Sequence, residues 1–198
     1  MDNSNLNAGF EISVQPAPIG DGSCWSMTNL ITAAYEESFH IGGEQPTRNS
    51  FPLPLRDKSG FRVQAIPIKG GSRFQRELSP VSNTERRSEC LDIMRSGGII
   101  LSHVRLLTPL NSCSLTAVDF RFYLVWFHFY ASKVYRRLGY EQSVDYRLRR
   151  WGANGHTVDV DVRCVILEDT GSISGYEGPE GEALARTVKA QMEAKGMV

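Results

Sequence analysis

The chain lacks an excess of charge of either sign: across 198 residues, 22 Lys and Arg offset 22 Asp and Glu. A protein that coats nucleic acid nonspecifically carries a basic surplus, so such a role here would need a local patch. The cysteines lack metal-type spacing. Cys24, Cys90, Cys113 and Cys164 stand far apart with no CxxC pair, which argues against a structural zinc site. A long apolar run is missing too. The densest stretch, Phe120 to Tyr130, includes Arg121 and His128 and falls short of the ~20 residues a membrane-spanning helix needs. The start of the chain, Met1-Asp2-Asn3-Ser4-Asn5-Leu6-Asn7, has no apolar core of a secretory leader. These absences lead to the expectation of a cytoplasmic or intracellular protein with free thiols, no cofactor and no transmembrane segment.

What is present points to an α+β protein with a mostly antiparallel sheet and about three helices packed on it. Residues 1–9 are Asn-rich and expected to be a flexible N-terminus, with 10–198 forming a single domain. Phe10-Glu11-Ile12-Ser13-Val14 alternates as a strand does, and Met27, Leu30, Ile31, Ala34 and Tyr35 recur at helical spacing over about 26–37. The Pro-bearing stretch 42–60 reads as a loop in which Phe51, Leu53 and Leu55 alternate as a short edge strand. Phe61 to Ile68 reads as another edge strand, and Lys69-Gly70-Gly71-Ser72-Arg73 as a hairpin connection, since it lacks the Gly-Lys-Ser/Thr ending of a nucleotide loop. Asn83 or Thr84 offers a cap for a helix through Glu85, Cys90, Leu91 and Met94, with Gly97-Gly98 as its stop. Ile99 to Leu107 is apolar enough for a central strand.

Phe120 to Tyr135 is aromatic on both faces of a period-two pattern, and reads as a strand buried on both sides. A helix from Ala117 to Leu138 is the alternative. Val144 to Arg149 and Thr157 to Leu167 alternate on either side of the turn Gly152-Ala153-Asn154-Gly155 and form a hairpin, with Arg147 and Arg149 facing Asp159 and Asp161. Pro179 opens a final helix to about Lys195 with a narrow stripe of Leu184, Val188 and Met192.

One stretch carries a reactive residue at a structural boundary. In Gly20-Asp21-Gly22-Ser23-Cys24-Trp25, a turn dipeptide precedes a cysteine at or just before a helix start, where unpaired backbone N–H groups favour a thiolate. Gly22-Ser23-Cys24-Trp25 resembles the nucleophile region of papain-like cysteine proteases, and Asp21-Gly22-Ser23-Cys24 that of ovarian-tumour-type deubiquitinases. The first resemblance implies His156, at the start of a strand, as base, with Asp169 or Asp159 orienting it. The second implies His128, which an aromatic residue follows. Position 18 is Pro where the papain pattern has its oxyanion-hole Gln.

Arg136 and Arg137, with Arg147, Arg149, Arg150 and Trp151, form a basic and aromatic group suited to phosphates or anionic headgroups through Arg forks. The two-sided aromatic segment, the neutral Arg-patterned surface and the narrow terminal helix fit a structural or interaction protein. The leading expectation is a non-enzymatic protein that self-assembles or binds a protein partner, of viral matrix type or another structural kind, contacting nucleic acid or an anionic membrane. A cysteine hydrolase built on Cys24 is the alternative.

Overall fold

Phe10, Ile12 and Val14 alternate with Glu11, Ser13 and Gln15, so an extended backbone puts every apolar side chain on one face. The computed structural model describes residues 6–16, 25–41, 54–55, 62–78, 85–107, 117–151 and 157–164, together with Arg186, Ala190 and Ala194. The alternating run is strand β1, Leu6–Pro16. It begins within the segment expected to be mobile, so residues 6–9 belong to the sheet. Helix α1 (Met27–Ile41) follows, then β2 (Ile66–Ile68), β3 (Gly71–Leu78), β4 (Glu85–Met94), β5 (Ile99–Leu107), helix α2 (Ala117–Arg137), β6 (Val144–Trp151) and β7 (Thr157–Cys164). The strands form one antiparallel sheet in the order β2-β3-β4-β5-β1-β6-β7, so the fold is α+β as expected. β1 lies between the end of the β2–β5 meander and the β6–β7 hairpin.

Register sorts the strands into rows that cross the sheet. On one face Ile93, Ile99, Val14 and Tyr146 form a first row, and Phe74, Leu91, Leu101, Ile12 and Leu148 a second. All nine are buried. The helices cover this face, α1 toward β4 and α2 over β1. Leu30, Ala33, Ala34 and Tyr35 of α1 and Phe127, Tyr130, Ala131 and Val134 of α2 complete the core. Burying apolar area at roughly 25 cal/mol per Å² is what holds two layers together. The other face carries Arg73, Asp92, Glu11, Ser13, Arg147, Arg149, Asp159, Asp161 and Arg163.

Two expectations are corrected. Residues 85–94 form strand β4 rather than a helix. Glu89, Leu91 and Ile93 point to the helices while Ser88, Cys90 and Asp92 point away, a period-two pattern that the charged Glu89 concealed. The Gly97-Gly98 stop is instead the β4–β5 hairpin turn, where Gly97 at φ 87° donates to Met94 O at 2.9 Å. Residues 120–135 are helical and within the bounds of the alternative reading. Phe127, His128, Tyr130, Ala131, Ser132, Val134 and Tyr135 are all buried, so α2 is enclosed around most of its girth and its composition mimics a two-sided strand. Two helices with full bounds are therefore described rather than about three. Of the expected C-terminal helix only Arg186, Ala190 and Ala194 are described, each helical and exposed. Among the described residues 62–68, strand structure is confined to Ile66–Ile68 and an isolated bridge at Arg62, and the expected Phe51–Leu55 strand lies outside the described residues except for Pro54 and buried Leu55.

α1 starts where the sequence says it should. Ser26 Oγ accepts from Asn29 N at 3.1 Å, an N-cap that satisfies one of the orphan donors of the first turn. Just before the cap, Trp25 donates from Nε1 to Leu138 O at 3.1 Å and packs on Tyr135 and Tyr140. Tyr135 in turn donates to Gly97 O at 2.9 Å, tying the end of α2 to the β4–β5 turn. Trp25 thus fastens the start of α1 to the end of α2. Trp25→Ala is expected to cost about 3 kcal/mol in urea unfolding, from lost packing and a stranded carbonyl, with Trp25→Phe losing only about 1 kcal/mol. A change under about 1 kcal/mol for Trp25→Ala would show that the junction is held elsewhere.

Candidate functional site

The third row on the helix-covered face is polar. Arg76 of β3, Glu89 of β4 and His103 of β5 lie side by side, followed by Phe10 of β1 and Arg150 of β6. Alternation forces this placement: Arg76 follows Phe74, Glu89 precedes Leu91, and His103 follows Leu101 on the same face. Arg76 Nη2 meets Glu89 Oε2 at 2.5 Å, and His103 Nδ1 lies 3.3 Å from Glu89 Oε1. The His103 ring stacks on Phe10 with centroids 5.4 Å apart and planes 6° apart. Glu89 and His103 are each 2% exposed. Burial pushes the Glu89 carboxyl up, yet His103 and Arg76 beside it outweigh this and hold it below the usual carboxylate value. Arg76 Nε is buried with no hydrogen-bond partner among the described residues.

A carboxylate holding an imidazole by Nδ1 is the geometry of an oriented general base. Here that base is enclosed, and its carboxylate is shared with a guanidinium. The arrangement conserves charge inside the core and resists any shift of register.

A second buried polar pair ties α2 to β6. His128 Nδ1 lies 2.5 Å from Tyr146 Oη, with the rings edge to face at 5.2 Å. His128 is 1% exposed, and burial pushes its pKa down to about 4. A base for a thiol has to reach an open groove, whereas His128 is spent on a hydrogen bond under the helix.

Cys24, His156 and Asp169 lie outside the described residues. α1 begins three positions after Cys24, with Ser26 and not the cysteine as cap. The Arg group is divided by the sheet. Arg147, Arg149 and Trp151 sit on the open face, Arg150 on the helix-covered face, and Arg136 and Arg137 in the last turn of α2. Arg137 pairs with Glu36 and, at 3.0 Å, with buried Glu37. Arg136 Nε is buried without a hydrogen-bond partner among the described residues.

On the open face the sheet carries a ladder of cross-strand ion pairs. Arg147 Nε lies 3.0 Å from Asp161, Arg149 Nε 2.8 Å from Asp159, and Arg163 Nε 2.6 Å from Asp145. The first two join the arginines and aspartates that the hairpin is expected to bring face to face, and the register sets which meets which. Hydrogen bonding from Arg163 holds Asp145 below its usual carboxylate value. Further along, Arg73 makes a two-pronged contact with buried Asp92 at 2.7 Å on each prong. Beside it, half-buried Cys90 is a free thiol, its pKa raised by burial. Among the described residues no group of three or more His, Cys, Asp and Glu side chains is placed to hold a metal ion, and no helix is long and apolar enough to cross a membrane.

The sequence reading missed Arg76, Glu89 and His103. Their signal was a charged or basic residue at an inward position of an alternating strand, visible only once 85–94 is taken as a strand. No known protein family, curated protein or solved structure matches this chain.

Two expectations follow for the buried groups. Between pH 6.5 and about 4 the unfolded chain takes up a proton at position 128 that the folded chain refuses, so stability falls as the pH falls through that window. The loss is on the order of 3 kcal/mol, and His128→Gln should flatten this part of the pH profile in urea titrations. An unchanged profile in that variant would place the titration elsewhere. Glu89→Ala should cost about 3 kcal/mol or more because it strands Arg76 and His103, whereas replacing all three with Met, Leu and Phe should come close to neutral. If the triple replacement is as damaging as Glu89→Ala, the cluster does more than fix the register.

Proposed function

We propose that this chain is a non-enzymatic structural or interaction protein that acts by associating with itself or with a protein partner. The observation that carries the reading is the asymmetry of the sheet. One face is sealed by α1 and α2, while the other presents ordered, exposed charges locked to one another across β6 and β7. A preformed polar surface of this kind meets a partner with little loss of side-chain freedom. The buried titratable groups also support it, since Glu89, His103 and His128 are engaged with one another or with Arg76 and Tyr146. Contact with nucleic acid or an anionic membrane is a subordinate part of the reading, because phosphate would have to displace Asp159 and Asp161 from Arg149 and Arg147.

Light scattering on eluted protein should give a mass above the monomer that falls as salt rises, since exposed charges are screened within about 8–10 Å at moderate ionic strength. A thiol-reactive peptide or ubiquitin electrophile should label wild type and Cys24→Ser alike. Selective labelling at Cys24 that depends on His156 would overturn the reading in favour of a cysteine hydrolase.

A further inference from the structure

The two edges of the sheet differ. β2 is three residues long with Pro67 at its centre, a short edge that cannot extend a ladder. β7 runs for eight residues, Thr157–Cys164, without proline, and among the described residues no strand pairs with its outer side. Charges on an edge strand guard against pairing when they share a sign. On β7 the sign changes along the strand: Asp159 and Asp161 are acidic and Arg163 is basic, all on the open face.

That change of sign makes the strand complementary to itself in one register. Antiparallel pairing that keeps the open faces together allows only shifts of two residues at a time. Centring the pair on Asp161 sets that carboxylate against its own copy. Centring it on Val160 sets Asp159 against Asp161 twice, and centring it on Arg163 sets two guanidiniums together. Centring it on Val162 places each Asp161 opposite the second copy's Arg163 and sets no like charges directly across. Asp161 and Arg163 are the most exposed members of the ladder, each 69% exposed at the side chain. Across the join the row would read Arg147, Asp161, Arg163, Asp145, with the last two from the second copy. The alternation of sign would continue without a break.

We propose that two copies of this chain join edge to edge through β7, antiparallel about a two-fold axis at Val162. The inference rests on the self-assembly reading above and assigns it a surface. Backbone hydrogen bonds supply the adhesion and the Asp161–Arg163 pairs select the register. The partner is a second copy because the complementary sequence is the strand's own, and an isologous contact closes at two.

Sedimentation velocity at low salt tests this with two opposite charge reversals. Asp161→Arg alone puts Arg opposite Arg at both pairs, and Arg163→Asp alone puts Asp opposite Asp. Each is expected to weaken self-association by about tenfold or more relative to wild type. An equimolar mixture of the two variants should associate as wild type does, because both pairs in the mixed dimer are again opposite in sign. Misfolding cannot produce that recovery. Mild oxidation of Val162→Cys should also yield a dimer whose linkage maps to position 162 on both chains, the spacing across an antiparallel pair being within disulfide reach. A wild-type dimer that neither reversal weakens, or a mixture no tighter than its components, overturns the β7 interface and leaves self-assembly standing. A wild type that stays monomeric at all concentrations and salts overturns the interface and the self-assembly reading together.

Discussion

The sheet depends on the pairing of β1 along both of its edges. The β2–β5 meander and the β6–β7 hairpin are each local structures, and among the described strands Leu6–Pro16 is the one that pairs with both. The strand that joins them comes from the start of the chain, and the bond from Ser13 Oγ to Arg147 O spans 134 positions. Such pairing is slow to form, because the loop-closure entropy is met before the contacts reward it. Gly9 shows how closely the sheet is fitted along this strand. A Cβ there would lie 2.4 Å from His103 O and 2.7 Å from the Trp151 ring, so the indole occupies the space a side chain would need.

β1 contributes Val14, Ile12 and Phe10 to the three inward rows of the sheet. Two of the rows are apolar and would tolerate a slip by two residues with modest loss. The third, Arg76–Glu89–His103, would not tolerate a slip among β3, β4 and β5, because buried charges would be left unmatched, and β1 meets this row through Phe10 stacked on His103. A buried ion pair adds little net stability over apolar packing of the same shape, but it penalises the wrong register heavily. The polar row therefore serves the geometry of the sheet more than its depth of stability. Its companion on the helix layer, His128 against Tyr146, fixes α2 to β6 in the same way.

The helix layer is closed at one corner by Trp25, which links the start of α1, the end of α2 and the β4–β5 turn through Leu138, Tyr135 and Gly97. This gives Trp25, the last residue of Gly22-Ser23-Cys24-Trp25, a structural role independent of the resemblance to protease sequences. The tryptophan is an anchor and the serine after it is the cap. The helices cover one face of the sheet, and the charged ladder of β6 and β7 lies on the other.

The amino-acid pattern alone was enough for the Phe10–Val14 part of β1, α1, β5 and the β6–β7 hairpin, and for bringing Arg147 and Arg149 opposite the two aspartates Asp159 and Asp161, while which arginine meets which aspartate was set by the register. β1, α1 and the hairpin strands alternate between water and core, a contrast that writes a clear period into their residues, whereas β5 is legible as an apolar run. Where both sides are buried that contrast disappears, and α2 passed for a strand because Phe127 to Tyr135 is enclosed around most of its girth. β4 passed for a helix because Glu89, an inward carboxylate, broke an otherwise alternating run. The charge that hid it is tolerable only beside Arg76 and His103, residues on two other strands. The division of the Arg group between opposite sides of the sheet was likewise set by packing. Linear neighbours such as Arg149 and Arg150 point to opposite faces of a strand, and only the placement of the helices made one of those faces the interior.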